Sequence, residues 1–209
     1  MRLLEGSSEK IPLPVKLLPF QIEAAQPGTS AFQLASLLEQ IPRATLEARK
    51  IVLGRVAVDL TTRLEPEAWS VAECLDHLAR TTNAFLPAIS NAIAAAPKLT
   101  TNRDLRTGTI ASLLIRHLEP PYRLRYKVLS QLVPQEKDFD PAWLAFEESQ
   151  LRLSEAVRSA AGLAIDLVKV QCPVYAHLTY NVYGAFLMLT AHERRHLWQM
   201  EQILTALES

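Results

Sequence analysis

Two cysteines in 209 residues, Cys74 and Cys172, are too few for a disulfide framework, and neither belongs to a C-x-x-C pair. Six glycines are few for an all-β chain of this length. Net charge is absent, because Lys+Arg and Asp+Glu both number 22, and no basic run of five or more residues occurs. Both facts argue against a nucleic-acid surface. Long apolar runs are missing too. The run Tyr183–Ala191 falls well short of the ~20 residues that span a bilayer. The opening segment MRLLEGSSEKIPLPVKLLPF lacks the unbroken apolar stretch of a signal peptide, since Pro12, Pro14 and Pro19 interrupt it. The expectation is a cytoplasmic protein with no membrane and no nucleic-acid partner.

What is present is globular: hydrophobic residues make up 49% and charged residues 21%, enough for one domain with a substantial core. Residues 1–29 carry Pro12, Pro14, Pro19 and Pro27 and read as an extended leader. From Thr29 the texture turns helical. Phe32, Leu34, Leu37 and Leu38 open an apolar pattern that Pro42 should interrupt or restart, and that continues to about Thr62. Ser70-Val71-Ala72-Glu73 is a capping box and predicts a helix from Ser70 to about Ala95, with a kink at Pro87. A short helix is expected over Thr109–Leu118. Asp140-Pro141 predicts the start of another, which should stop at Gly162. The last should run from about Thr179 to Leu207. Four long helices and no convincing strand predict an all-α four-helix bundle over residues 30–209.

The segment His192-Glu193-Arg194-Arg195-His196 matches H-E-x-x-H. Two histidines at i and i+4 lie about 40° apart and ~6 Å along a helix, so both can reach one ion. A zincin protease needs a third ligand downstream. The extended form of that motif requires Gly at 199 and His at 202, where this chain has Gln199 and Gln202. Glu201 and Glu208 are too close in the same helix to fold back. A protease is therefore excluded, and any third ligand must come from upstream. Glu193, ~100° round the helix from His192, should point partly away from an ion, and Arg194 and Arg195 should face solvent. His192 and His196 continue the apolar stripe of the last helix, while His77 sits at the edge of the stripe formed by Cys74, Leu78, Thr81 and Phe85. On spacing alone, a metal site and hydrogen-bonded core histidines remain equally open.

Trp69-Ser70-Val71-Ala72-Glu73-Cys74-Leu75-Asp76-His77 and His192-Glu193-Arg194-Arg195-His196-Leu197-Trp198-Gln199 together resemble two segments of the DinB-like (DinB/YfiT) superfamily, in the same order. The resemblance covers most of residues 30–207 and leaves the Pro-rich leader outside. It implies a four-helix bundle that binds a divalent metal through His77, His192 and His196. It also implies kinship with transferases that use a low-molecular-weight thiol cofactor. One segment departs from the family pattern. Where relatives often carry a His-Pro…Gly-x-Leu-Thr-like stretch, this chain has Cys172-Pro173-Val174-Tyr175-Ala176-His177-Leu178-Thr179.

Other residues have plainer readings. His117 reads as a surface helix end, His177 as a partly exposed loop residue, Cys74 as a buried thiol, and Trp69 as a core anchor rather than a substrate platform. Asp76, Asn83 and Asn181 are candidate acceptors for ligand N–H groups. Imidazole ligands suit Zn, Ni or Fe alike, and acid should displace the ion below roughly pH 6. Two functions follow from the sequence. One is a metalloenzyme acting on a small-molecule substrate, by thiol-dependent transfer or metal-dependent hydrolysis. The other is a non-catalytic, stress-related binding or dimerisation module, a homodimer with a structural metal.

Overall fold

The computed structural model describes residues 28–120, 122, 128–173, 175 and 177–209. Most of the leader, along with Pro121, Val174 and Ala176, lies outside the described residues. Four long helices carry the architecture: α1 (Ser30–Val52), α3 (Val71–Ala94), α5 (Phe139–Ser159) and α6 (Val182–Leu207). Two shorter ones, α2 (Ala57–Thr61) and α4 (Thr109–Leu118), and a 3-10 turn at Ser130–Leu132 complete the helical part. Among the described residues the fold is all-α apart from one small ribbon, formed by β1 (Lys169–Gln171) and β2 (Thr179–Asn181). The strands pair antiparallel, with Val170 opposite Tyr180.

Several boundaries differ from the sequence expectation for local reasons. α1 runs straight through Pro42, so the first break comes later, at Gly54, whose φ of 76° suits a residue without Cβ. α5 begins at Phe139, with Asp138 as its N-cap, rather than at Asp140-Pro141. Pro141 still falls in the first turn, where N–H groups have no intrahelical acceptor and a proline costs nothing. α6 begins at Val182, because residues 179–181 are spent on β2. Asn181 then caps α6: its Oδ1 accepts from Gly184 N at 2.7 Å, while its Nδ2 donates to the carbonyls of Arg106 and Asp166. Other expectations hold. Ser70 and Glu73 form the reciprocal capping box, and Gly162 follows α5 with φ 73°.

Two apolar cores lie along the long helices. One gathers Leu37, Ile41, Phe85, Ile89, Leu153, Val157 and Phe186 near the ribbon. The other gathers Ala48, Val71, Leu75, Phe146, Met200 and Leu204 at the opposite end. A polar level separates them. On α3, α5 and α6 the buried residues between the cores include His77, Thr81, Ser149, Gln150, Thr190, Glu193 and His196. Near the ribbon, α4 lies directly on the first turn of α6. A Cβ added to Gly184 would sit 2.6 Å from Ala111 Cβ and 2.7 Å from the Thr107 carbonyl oxygen.

Candidate metal centre

α3 places His77 on the face it turns toward α6, and α6 presents His192 and His196 back across the interface. Their ring nitrogens converge. His192 Nε2 lies 3.2 Å from His77 Nε2 and 3.1 Å from His196 Nε2. One donor atom from each ring lies within 4.8 Å of the other two, and no fourth His, Cys, Asp or Glu joins the group among the described residues. The three rings meet edge to face, with centroids 4.5 to 5.0 Å apart.

The proton inventory shows what this cluster lacks. His77 Nδ1 lies 2.7 Å from the carbonyl oxygen of Leu132. That oxygen can only accept, so Nδ1 carries the proton and Nε2 of the neutral ring presents a bare lone pair. All three imidazoles are held neutral. Burial is the largest cause for each, and the His77 ring is pushed down despite the opposing pull of Leu132 and Asp76. His192 keeps some solvent contact, yet burial, His77 and Arg195 push it down to about 3. His196 falls well below the ordinary range through burial, its two neighbouring imidazoles and Arg195. A proton shared between nitrogens can satisfy only one contact at a time, and the cluster has two. A single cation satisfies both. Two nitrogens each about 2.05 Å from one ion stand about 3.3 Å apart in tetrahedral geometry and about 2.9 Å apart at a right angle. The observed 3.1 and 3.2 Å lie between these values. The residues fit a divalent metal with one open side.

A family model of the DinB superfamily matches residues 32–200. The chain belongs to the DinB superfamily. No curated protein and no solved structure matches it. In this DinB-superfamily chain the two sequence segments that carried the resemblance are the two that bring the histidines together.

The surroundings of the site revise several expectations. None of Asp76, Asn83 and Asn181 accepts from a histidine N–H. Asp76 Oδ2 accepts from the backbone N–H groups of Gln135 and Glu136, Asn83 accepts from Arg152, and Asn181 is a helix cap. The acceptor is instead a main-chain carbonyl, which no side-chain pattern could signal. Trp69 is half-buried and packs against the core, as expected, but its ring also borders the site, 4.7 Å from the His77 ring and 5.9 Å from that of His196. Cys74 is buried, its thiol is pushed up by burial, and it stays outside the histidine group. His117 and His177 are exposed and also lie outside it.

Glu193 points neither at the ion position nor at solvent. It is 1% exposed, and Gln150 Nε2 donates to its Oε1 at 2.8 Å. Burial pushes its carboxyl up to about 7. Arg194 keeps part of its side chain in solvent, as expected, but also ties separate elements together. It donates to Glu119 through Nε at 3.1 Å and to Gln40 Oε1 at 2.9 Å. Arg195 is also half-buried, with its guanidinium carbon 5.5 Å from the centre of the Tyr122 ring. Tyr122 in turn packs on Trp198 at 4.8 Å. This cationic and aromatic rim was not foreseen. The i, i+3 spacing of Arg195 and Trp198 was visible in the sequence, but their common partner Tyr122 comes from a distant segment.

Proposed function

We propose that this protein is a metalloenzyme that binds one divalent cation through His77, His192 and His196, carried by a four-helix bundle domain over residues 30–209. The convergence of three neutral imidazoles at 3.1 to 3.2 Å carries this reading. Zn, Ni and Fe all suit such a donor set. When bound, the cation supplies Lewis acidity and favours the deprotonated form of a thiol or water at its open position.

The chain's own residues favour thiol chemistry over hydrolysis. All three ligands are uncharged, so the full double charge of the ion is left for an incoming group. Arg195 adds a further positive charge, which depresses the pKa of both His192 and His196. Such a site prefers an anion, and a thiolate meets that preference without a protein base. Hydrolysis would benefit from a general base beside the ion. Glu193, the nearest carboxylate in sequence, is buried with one oxygen on Gln150 and lies outside the histidine group. The proposed activity is therefore transfer of a low-molecular-weight thiol to or from a small-molecule substrate.

The test joins metal analysis of purified protein to a screen of thiol-dependent reactions. His77→Ala, His192→Ala and His196→Ala should each strip most of the metal and any thiol-transfer activity, while His117→Ala keeps both. Full metal in His77→Ala sinks the cross-helix site. Acid release should also come later than ordinary imidazoles would give. Burial pushes all three ligand imidazoles below their ordinary value, and that of His192 down to about 3.

A further inference from the structure

One turn of α3 grips a distant segment at four points. His77 Nδ1 donates to the Leu132 carbonyl at 2.7 Å, and Arg80 donates to the Gln131 carbonyl at 3.3 Å. In the other direction, Asp76 Oδ2 accepts from Gln135 N at 2.7 Å and from Glu136 N at 3.2 Å. Asp76 is 6% exposed, so its carboxylate is removed from water and its oxygen is committed to these two amides. The segment between them contains the 3-10 turn Ser130–Leu132, whose last side chain is buried. Holding residues 135 and 136 therefore fixes where the Leu132 carbonyl points.

We propose that Asp76 is a positioning residue for the metal centre, acting through the segment it holds rather than by touching the ion. With the Leu132 carbonyl in place, the proton of His77 stays on Nδ1 and the Nε2 lone pair faces His192. With the carbonyl displaced, the proton is free to move to Nε2, the atom that must coordinate. Adjacent Asp76 and His77 thus form one device, in which the carboxylate sets the tautomer of its neighbour through a loop more than fifty residues downstream. The inference rests on the metal reading only for its consequence, since the tautomer exists with or without an ion.

The experiment reads the two parts separately. Nitrogen-15 chemical shifts of the histidine rings, taken on the full chain stripped by chelator at pH 8, report the His77 tautomer. Competition with a chromophoric chelator reports affinity for Zn²⁺. In the wild type, His77 should show a protonated Nδ1. Asp76→Ala should populate the Nε2–H form and weaken Zn²⁺ about 10- to 100-fold, the usual cost of losing such outer support. Gln135→Pro removes one of the two amide donors from an exposed position and should act in the same direction, even if Asp76→Ala folds poorly. Asp76→Asn keeps an oxygen acceptor and should stay within a few-fold of the wild type. An unchanged tautomer in both Asp76→Ala and Gln135→Pro overturns the proposal. So does an Asp76→Asn loss as large as that of Asp76→Ala, because charge rather than grip would then be responsible. A tautomer shift in a protein whose wild type binds no Zn²⁺ would leave the grip standing and remove the metal reading.

Discussion

The two apolar cores and the polar level between them obey different rules. In the cores, close-packed side chains such as Phe146, Phe186, Leu75 and Ile89 satisfy themselves: nothing need be added to them. In the polar level several atoms are buried without a protein hydrogen-bond partner, among them Thr81 Oγ1, Gln150 Oε1 and Glu193 Oε2. A fold tolerates such groups at a cost of about 1–3 kcal/mol each. The cores hold the helices together, and the level between them leaves polar atoms without a protein partner.

The strongest way to break this contrast is to make the middle level apolar. A triple variant, His77→Leu, His192→Leu and His196→Leu, should lose all metal binding, a change of more than about 100-fold in affinity. Its stability in chelator should nevertheless stay within about 1–3 kcal/mol of the wild type, because the replacements remove the unpartnered His196 Nδ1 but leave the Leu132 carbonyl without its His77 donor. Urea unfolding of chelated protein checks this, and a collapse of the fold would show that the histidines brace the helices even without an ion.

Next in size is damage to a core. Phe186→Ala should cost about 3–5 kcal/mol while leaving metal stoichiometry intact in the folded fraction. Loss of stoichiometry would mean that core and site are not separable. Gly184→Ala tests the packing of α4 on α6, where the added methyl meets Ala111 and Thr107. It should cost about 1–3 kcal/mol in thermal or urea unfolding.

Glu193 sharpens the contrast through pH. Its folded pKa of about 7 lies above the ordinary value of 4.5, so the folded state keeps a proton that the unfolded chain has already shed. The stabilisation from this group is complete below the unfolded pKa and is lost as pH rises through the folded one. The histidines act in the opposite sense. Their depressed values make the contribution complete above the ordinary 6.5 and lost as pH falls, for His192 toward about 3. Glu193→Gln imitates the protonated carboxyl against Gln150. Measured in chelator, the variant should equal the wild type near pH 4.5 and exceed it by about 1–2 kcal/mol at pH 8. It should also retain metal. Equal stabilities at both pH values would mean that folding does not raise the Glu193 pKa. The smallest effect belongs to the surface: Leu151→Ser, at a residue 66% exposed, should stay within about 0.5 kcal/mol.

The sequence displayed the parts of this arrangement that follow a helical period. Ser70 and Glu73 announced the start of α3, and four of the helices lie close to where apolar spacing put them. The i, i+4 pair His192 and His196 is a local pattern on one helix, and the third histidine followed from family resemblance. Contacts between distant segments stayed hidden. The Leu132 carbonyl has no side-chain signature, the union of Gln150 with Glu193 needs the α5–α6 interface, and the tie from Arg194 to Glu119 needs the end of α4. Short strands hide for another reason. Three residues are too few for an alternation to show, and Thr179–Asn181 reads equally well as the run-up to a helix.

The position of Trp69 makes the site observable by light. Its indole touches two of the three imidazoles, at 4.7 and 5.9 Å between ring centres. Fluorescence of that ring responds to charge and to quenchers in direct contact. Any ion or ligand that settles among the histidines should therefore alter the emission of the native protein, with no label attached. The other tryptophans, Trp143 and Trp198, pack on Phe139, Phe146 and Tyr122 instead, so Trp69→Phe should silence that signal and leave theirs.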